Sequence, residues 1–245
     1  MDFHTEHPTL SQLWPPFGLE VVAYRDNNHH DNDQYQELRL RIMRDDDIAA
    51  LNGATPHDIY GPDIPPYAFP WLYDADPLNS ARFRWQHRID ASPQEWSLDF
   101  VVAIKHQEQE AKEEQETIIG VVDCRASNFA TTRQVSTGSW IYYDYQGCGY
   151  GTLMREAIAD FCFDHLHTTT LHSAWHPENA ASARVSEKLG YQTIDSTNTA
   201  AFGPNGVEGP LKEAVLRKEN YKSRITTTVT GCTPELRALL GADEI

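Results

Sequence analysis

Apolar and polar residues alternate in some stretches of this chain and recur at helical spacing in others. Gln36–Met43 alternates, which predicts a strand with one buried face. Trp96–Ile104 and Glu116–Ala126 read as the two strands of a hairpin, joined by the charged run His106–Gln115. Val135–Tyr143 and Leu171–Trp175 read as further strands, as do Gly209–Arg217, continuing toward Tyr221, and the more polar Ile225–Thr230. Val21 opens a strand fragment that gives way to the polar run Asp26–Asp33. Helical spacing is clearest at Leu153, Met154, Ala157, Ile158 and Phe161, which places one face of a helix in a core. A helix also opens at Arg44-Asp45-Asp46-Asp47 and runs to about Leu51, with acids at its positive end. Leu78–Asp90 and Pro234–Leu240 read as helices. Asn179 as N-cap and Gly190 as C′ residue bracket another.

The remaining stretches predict loops. Ile59–Pro77 is dense in prolines and aromatics (Pro62, Pro65, Pro66, Tyr67, Phe69, Pro70, Trp71, Tyr73), and long ordered loops often carry binding function. Ala200–Pro210 reads as a glycine-rich loop. Residues 1–20 show no clear period. No internal repeat is present, and no linker is long enough to force a second domain. The expected division is an extension at 1–35, one domain at 36–220 and a tail at 221–245 docked on that domain.

Composition narrows the class. With 40% hydrophobic residues and many aromatics, the chain has the material for a core and is not disordered in composition. No apolar run approaches the ~18 residues of a membrane span, and Met1–Pro8 lacks the basic start and apolar core of a signal peptide. Cys124, Cys148, Cys162 and Cys232 show neither CxxC nor metal-finger spacing. The expectation is a cytoplasmic protein with reduced thiols and no metal. His29 and His30 are adjacent, but their polar surroundings fit a solvated loop. The formal net charge of −16 repels nucleic acid and favours a cationic substrate, an amine or a basic peptide end.

Chemistry concentrates at Gln146-Gly147-Cys148-Gly149-Tyr150-Gly151, between the strand Val135–Tyr143 and the helix beginning near Thr152. Free N–H groups at a helix N-terminus bind phosphate, and glycines allow close approach. The run lacks the Gly-Lys-Ser/Thr ending of a P-loop, and the early position and acidic partner of a dinucleotide fold. A second motif follows the strand Leu171–Trp175: Asn179-x-x-Ser182, then Glu187-Lys188-Leu189-Gly190-Tyr191.

In this order and spacing, the two motifs resemble those of the GNAT acyl-CoA N-acyltransferase family, over about residues 36–220. The second motif is most similar to the ribosomal-protein N-terminal acetyltransferase branch. The resemblance implies an α/β fold with a central mixed, mostly antiparallel sheet flanked by helices. It implies acetyl-CoA as cosubstrate and direct acetyl transfer to a primary amine, at a protein or peptide N-terminus. A small amine (polyamine or antibiotic) is the alternative acceptor, and a non-catalytic acyl-CoA-binding module the non-enzyme alternative. A homodimer is compatible with the family.

By the same resemblance, Trp140, Ile141 and Tyr142 act through their backbones beside the thioester. Gln146, Gly147, Cys148, Gly149, Tyr150, Gly151 and Thr152 hold the pyrophosphate. Asn179 caps its helix and contacts the cofactor arm, Arg184 or Lys188 reaches the terminal phosphate, and the Pro-aromatic loop walls the acceptor. Two departures stand out. Cys148 replaces the Arg or Lys that relatives often carry, and Ser186 stands where many place a tyrosine acid. Ser182 and Tyr191 remain as candidates to protonate or stabilise the leaving thiolate, although serine is a poor acid. Asp144, Glu178, His172 and His176 are candidate bases, and a neutral amine needs none of them. No cysteine has the His-Asp neighbours of a covalent nucleophile.

Overall fold

The computed structural model describes residues 8–25, 36–105 and 116–243. His29, His30 and the charged run at 106–115 lie outside the described residues. Thr9 caps the one-turn helix α1 (Leu10–Leu13), and a 3-10 turn leads into β1 (Glu20–Arg25). Next come β2 (Gln36–Ile42), α2 (Asp45–Leu51), α3 (Pro56–Tyr60), a 3-10 turn at Pro70–Tyr73, and α4 (Pro77–Ile89). β3 (Glu95–Lys105) and β4 (Glu116–Ser127) form the long hairpin. The short α5 (Phe129–Thr132), β5 (Gln134–Ile141) and α6 (Tyr150–Asp160) follow. A π-helical turn (Phe161–His165) closes α6 before β6 (Thr170–Trp175), α7 (Ala180–Leu189) and β7 (Gln192–Ile194). The chain ends through β8 (Thr199–Phe202), β9 (Val207–Pro210), β10 (Lys212–Arg217), β11 (Thr226–Thr230) and α8 (Pro234–Leu239).

Nine strands form one sheet in the order β11-β1-β2-β3-β4-β5-β6-β10-β7. Among the described residues only β5 and β6 pair in parallel; every other neighbour in this sheet is antiparallel. β1 and β11, which fall in the extension and tail of the sequence division, are strands of this same sheet. The main core lies between the sheet and α6, where Phe100 and Phe161 meet edge to face at 6.1 Å. Inside it, Asp160 accepts hydrogen bonds from the Tyr221, Ser223 and Thr227 hydroxyls at 2.8, 2.9 and 2.6 Å, tying the last strand to α6. A smaller core on the opposite face joins Met43, Ile48, Val101 and Val121 under α2 and α4.

Two sequence expectations are corrected. Ala200–Pro210 is a two-stranded hairpin, β8 on β9, whose turn uses Gly203 and Gly206 at φ 68° and 59°. The strand expected at Gly209–Arg217 breaks at Leu211, whose N–H bonds Asn198 instead. Pro210 has no N–H to continue a ladder, so β9 stays with the hairpin and β10 joins the main sheet.

Candidate active site

β5 and β6 stay paired only from Gln134↔Thr170 to Thr137↔Ser173. Beyond that point β5 follows β4 as far as Ile141, while β6 follows β10 as far as Trp175. The strands part, and Gly138–Ile141 gain an edge without a strand partner among the described residues. Backbone groups on such an edge are open to a ligand. On the other side of β5, Gly120 of β4 allows the two strands to approach closely. A Cβ there would lie 2.3 Å from the Trp140 carbonyl oxygen and 2.7 Å from Ile141 Cδ1.

The glycine turn stands at the end of the open edge. Gly147 and Gly149 have φ 76° and 88°, a region costly for other residues. Gly149 is the N-cap of α6, and its carbonyl accepts from the Thr152 and Leu153 N–H groups at 3.1 Å. The N–H groups of Gly149, Tyr150 and Gly151 carry no partner among the described residues, so the positive end of α6 is available to an anion. Gln146 fixes the turn. Its Nε2 donates to the Ile59 carbonyl at 2.7 Å and to the Ile141 carbonyl at 2.8 Å, joining the end of β5 to α3.

Edge, turn, α6 and α7 enclose a cleft of about 480 Å³. Its far wall comes from the Pro-aromatic loop, through Tyr60, Tyr67 and Phe69. The wall is layered. Phe69 stacks on Trp71 at 5.8 Å, Trp71 meets Trp140 at 6.1 Å, and Tyr67 stacks on His176 at 5.0 Å. The Tyr60 hydroxyl accepts the Phe69 N–H at 3.3 Å. Burial pushes the Tyr60 phenol upward, and burial with the nearby Glu178 charge does the same to Tyr67, so both stay protonated. Asp63 is the sole carboxylate among the described residues lining the cleft, and no imidazole lines it.

Of the residues read from the motifs, Trp140, Ile141, Gln146, Gly147, Gly149, Gly151 and Thr152 line this cleft from one side. Asn179 and Ser182 line it from α7. Asn179 caps α7 by accepting the Ser182 N–H at 3.0 Å. Arg184 and Lys188 reach the rim and are exposed. Tyr142, Cys148, Tyr150 and Tyr191 are not in the lining. Both backbone groups of Tyr142 are engaged, its N–H on the Ile119 carbonyl at 2.8 Å and its carbonyl by the Tyr145 N–H at 2.9 Å. Cys148 is exposed, and Tyr150 packs on the main core. Tyr191 lies under the Arg155 guanidinium, 5.0 Å from ring centre to Cζ.

The candidate bases separate as well. His172 faces Gln134 across the paired part of β5 and β6, at 3.1 Å, and burial lowers its pKa. Nδ1 of His176 accepts the Glu178 N–H at 3.3 Å. Asp144 and Glu178 are exposed. Three lining residues used below, Tyr60, Asp63 and Arg155, are not singled out by the sequence. Arg155 had a visible signal, a charge set among the core-spaced residues of α6.

Residues 37–192 match the family described as "Acetyltransferase (GNAT) domain". Among solved structures, RimJ of Mycobacterium smegmatis, in complex with CoA-disulfide, superposes at a TM-score of 0.56 with 17% identity, covering 84% of this chain and 89% of that one. Spermidine N-acetyltransferase of Vibrio cholerae, in complex with CoA and spermine, superposes at 0.51 with 18% identity, covering 75% and 97%. At these identities the likeness is one of fold.

Proposed function

The chain belongs to the GNAT acetyltransferase family, with acetyl-CoA as acetyl donor, and we propose that its acceptor is the α-amino group at a protein or peptide N-terminus. The observation that carries this reading is the cleft lining, which among the described residues has one carboxylate, Asp63, and no imidazole. A polyamine presents several cations, which a row of carboxylates would match. A single α-ammonium needs one. An α-amine has a pKa of about 8 against about 10.4 for an alkylamine of the lysine type, so a useful fraction is neutral without a dedicated base. The aromatic wall of Tyr60, Tyr67 and Phe69 suits the cation on approach. The fold likeness covers both a RimJ and a polyamine enzyme and does not choose between them.

In this reading the free N–H groups at the start of α6 hold the diphosphate. The thioester lies along the open edge of β5, and Asn179 meets the pantetheine arm. The neutral amine attacks the thioester carbonyl carbon. The N–C bond forms, the C–S bond breaks with its electron pair going to sulfur, and the amine proton leaves to solvent. Ser182, in the first turn of α7 and lining the cleft, donates a hydrogen bond to the departing thiolate.

The test is an acceptor comparison with acetyl-CoA: peptides with free α-amines, the same peptides with blocked N-termini, and spermidine. Release of CoA thiol with free peptides alone is the expected result. Turnover of spermidine with no peptide turned over would sink the acceptor assignment. A Gly149→Glu variant serves as site control. It should lose acetyl-CoA binding in calorimetry, because its side chain is strained at φ 88° and repels the diphosphate.

A further inference from the structure

α6 buries three charged residues, Arg155, Glu156 and Asp160. Two are matched. Glu156 pairs with Arg25, and Asp160 accepts three hydroxyls. Arg155 is not. It is 6% exposed, and its Nη2 is buried without a hydrogen-bond partner among the described residues. Its guanidinium lies over the face of Tyr191, with Cζ 5.0 Å from the ring centre. Half-buried arginines elsewhere have carboxylates: Arg41 has Asp47 and Glu116, and Arg84 has Asp99. A buried guanidinium stays charged, and one without an anion is costly.

The position of Arg155 indicates which anion is missing. Arg155 lines the same cleft as the glycine turn. It lies one turn beyond Gly151 on the same face of α6, and helical side chains lean toward their own N-terminus. That N-terminus carries the free N–H groups. Gly151 has no side chain to obstruct the path; a Cβ there would meet only Val185, at 3.9 Å. Position 148 of the turn holds the exposed Cys148 and brings no cation. The side-chain amide of Gln146 is engaged by two carbonyls.

We propose that Arg155 supplies the positive charge that position 148 does not, and holds the diphosphate of the acyl donor from inside α6. Tyr191 is the platform that keeps the guanidinium in place. This assignment rests on the reading of the cleft as the donor site.

The test compares wild type with Arg155→Met and Arg155→Lys, using acetyl-CoA and S-acetylpantetheine. The second donor has the thioester arm but no diphosphate. Calorimetry gives Kd for CoA, and melting curves verify folding. Loss of a charge-assisted contact should weaken CoA binding of Arg155→Met on the order of 10- to 100-fold. Lysine should recover part of it, and the salt dependence of binding should flatten. Rates with S-acetylpantetheine should stay near wild type. Unchanged CoA affinity in a folded Arg155→Met protein overturns the assignment. Equal loss with both donors also overturns it, by placing Arg155 at the thioester. Failure of wild type to bind CoA would instead overturn the donor-site reading itself.

Discussion

At the scale of single residues, Gln146 shows how a motif position works by holding its neighbours. The resemblance gives it a ligand contact. Its side-chain amide reaches two carbonyls, one five residues back at the end of β5 and one in α3, 87 residues away in sequence. Replacing it with leucine leaves the Ile59 and Ile141 carbonyls without donors, at a cost of about 1–3 kcal/mol. Gln146→Leu should therefore lower the melting temperature and weaken CoA binding together. A variant that lost affinity with unchanged stability would show a direct ligand contact instead. The glycines of the turn were legible because their spacing is local. The orphan charge of Arg155 was not, because being unmatched depends on which carboxylates the fold brings near. The same holds for Tyr60, whose place in the wall depends on how the Pro-aromatic loop folds back on β5.

At the scale of elements, α4 is the instructive case. The pattern at 78–90 predicts the helix well, since its length and capping residues are local. How it attaches is another matter. None of its residues is buried, and Leu78, Phe83, Trp85 and Ile89 are exposed at 51, 47, 43 and 75%. Charges hold it down. Arg84 pairs with Asp99 of β3, His87 Nδ1 lies 2.8 Å from the same carboxylate, and Arg88 donates to the Met43 carbonyl at 2.9 Å. Burial works to raise the pKa of Asp99, but the His87 hydrogen bond and the Arg84 charge outweigh it and hold the carboxyl below its ordinary range. The sign follows by linkage. A depressed carboxyl stabilises fully above its unfolded pKa of about 3.9, and that contribution is lost as pH falls through the lower folded value. Asp99→Asn should cost about 3 kcal/mol at neutral pH and flatten the acid limb of the stability curve. Hydrogen exchange should show 77–89 opening first. Uniform opening of the whole chain would mean that α4 is not attached through Asp99.

At the scale of the whole molecule, charge and fold act on different partners. The formal net charge of −16 would repel a CoA anion at long range. In the proposed site, local groups offset that repulsion: the α6 N–H groups, the exposed Arg184 and Lys188 at the rim, and Arg155. On the same reading, the field attracts a cationic acceptor toward the aromatic wall. Surface fields are screened beyond roughly 8 Å at physiological salt, whereas contacts inside the cleft are screened much less. The two substrates should therefore respond to salt in opposite senses at low ionic strength. Raising salt from 20 to 200 mM, roughly a threefold contraction of the screening length, should lower kcat/KM for a basic peptide several-fold. A neutral peptide should change little, and acetyl-CoA should associate no more slowly than before. Equal salt responses for the basic and neutral peptides would mean that the acidic surface serves solubility alone. Acceptor choice would then lie entirely with Asp63 and the aromatic wall.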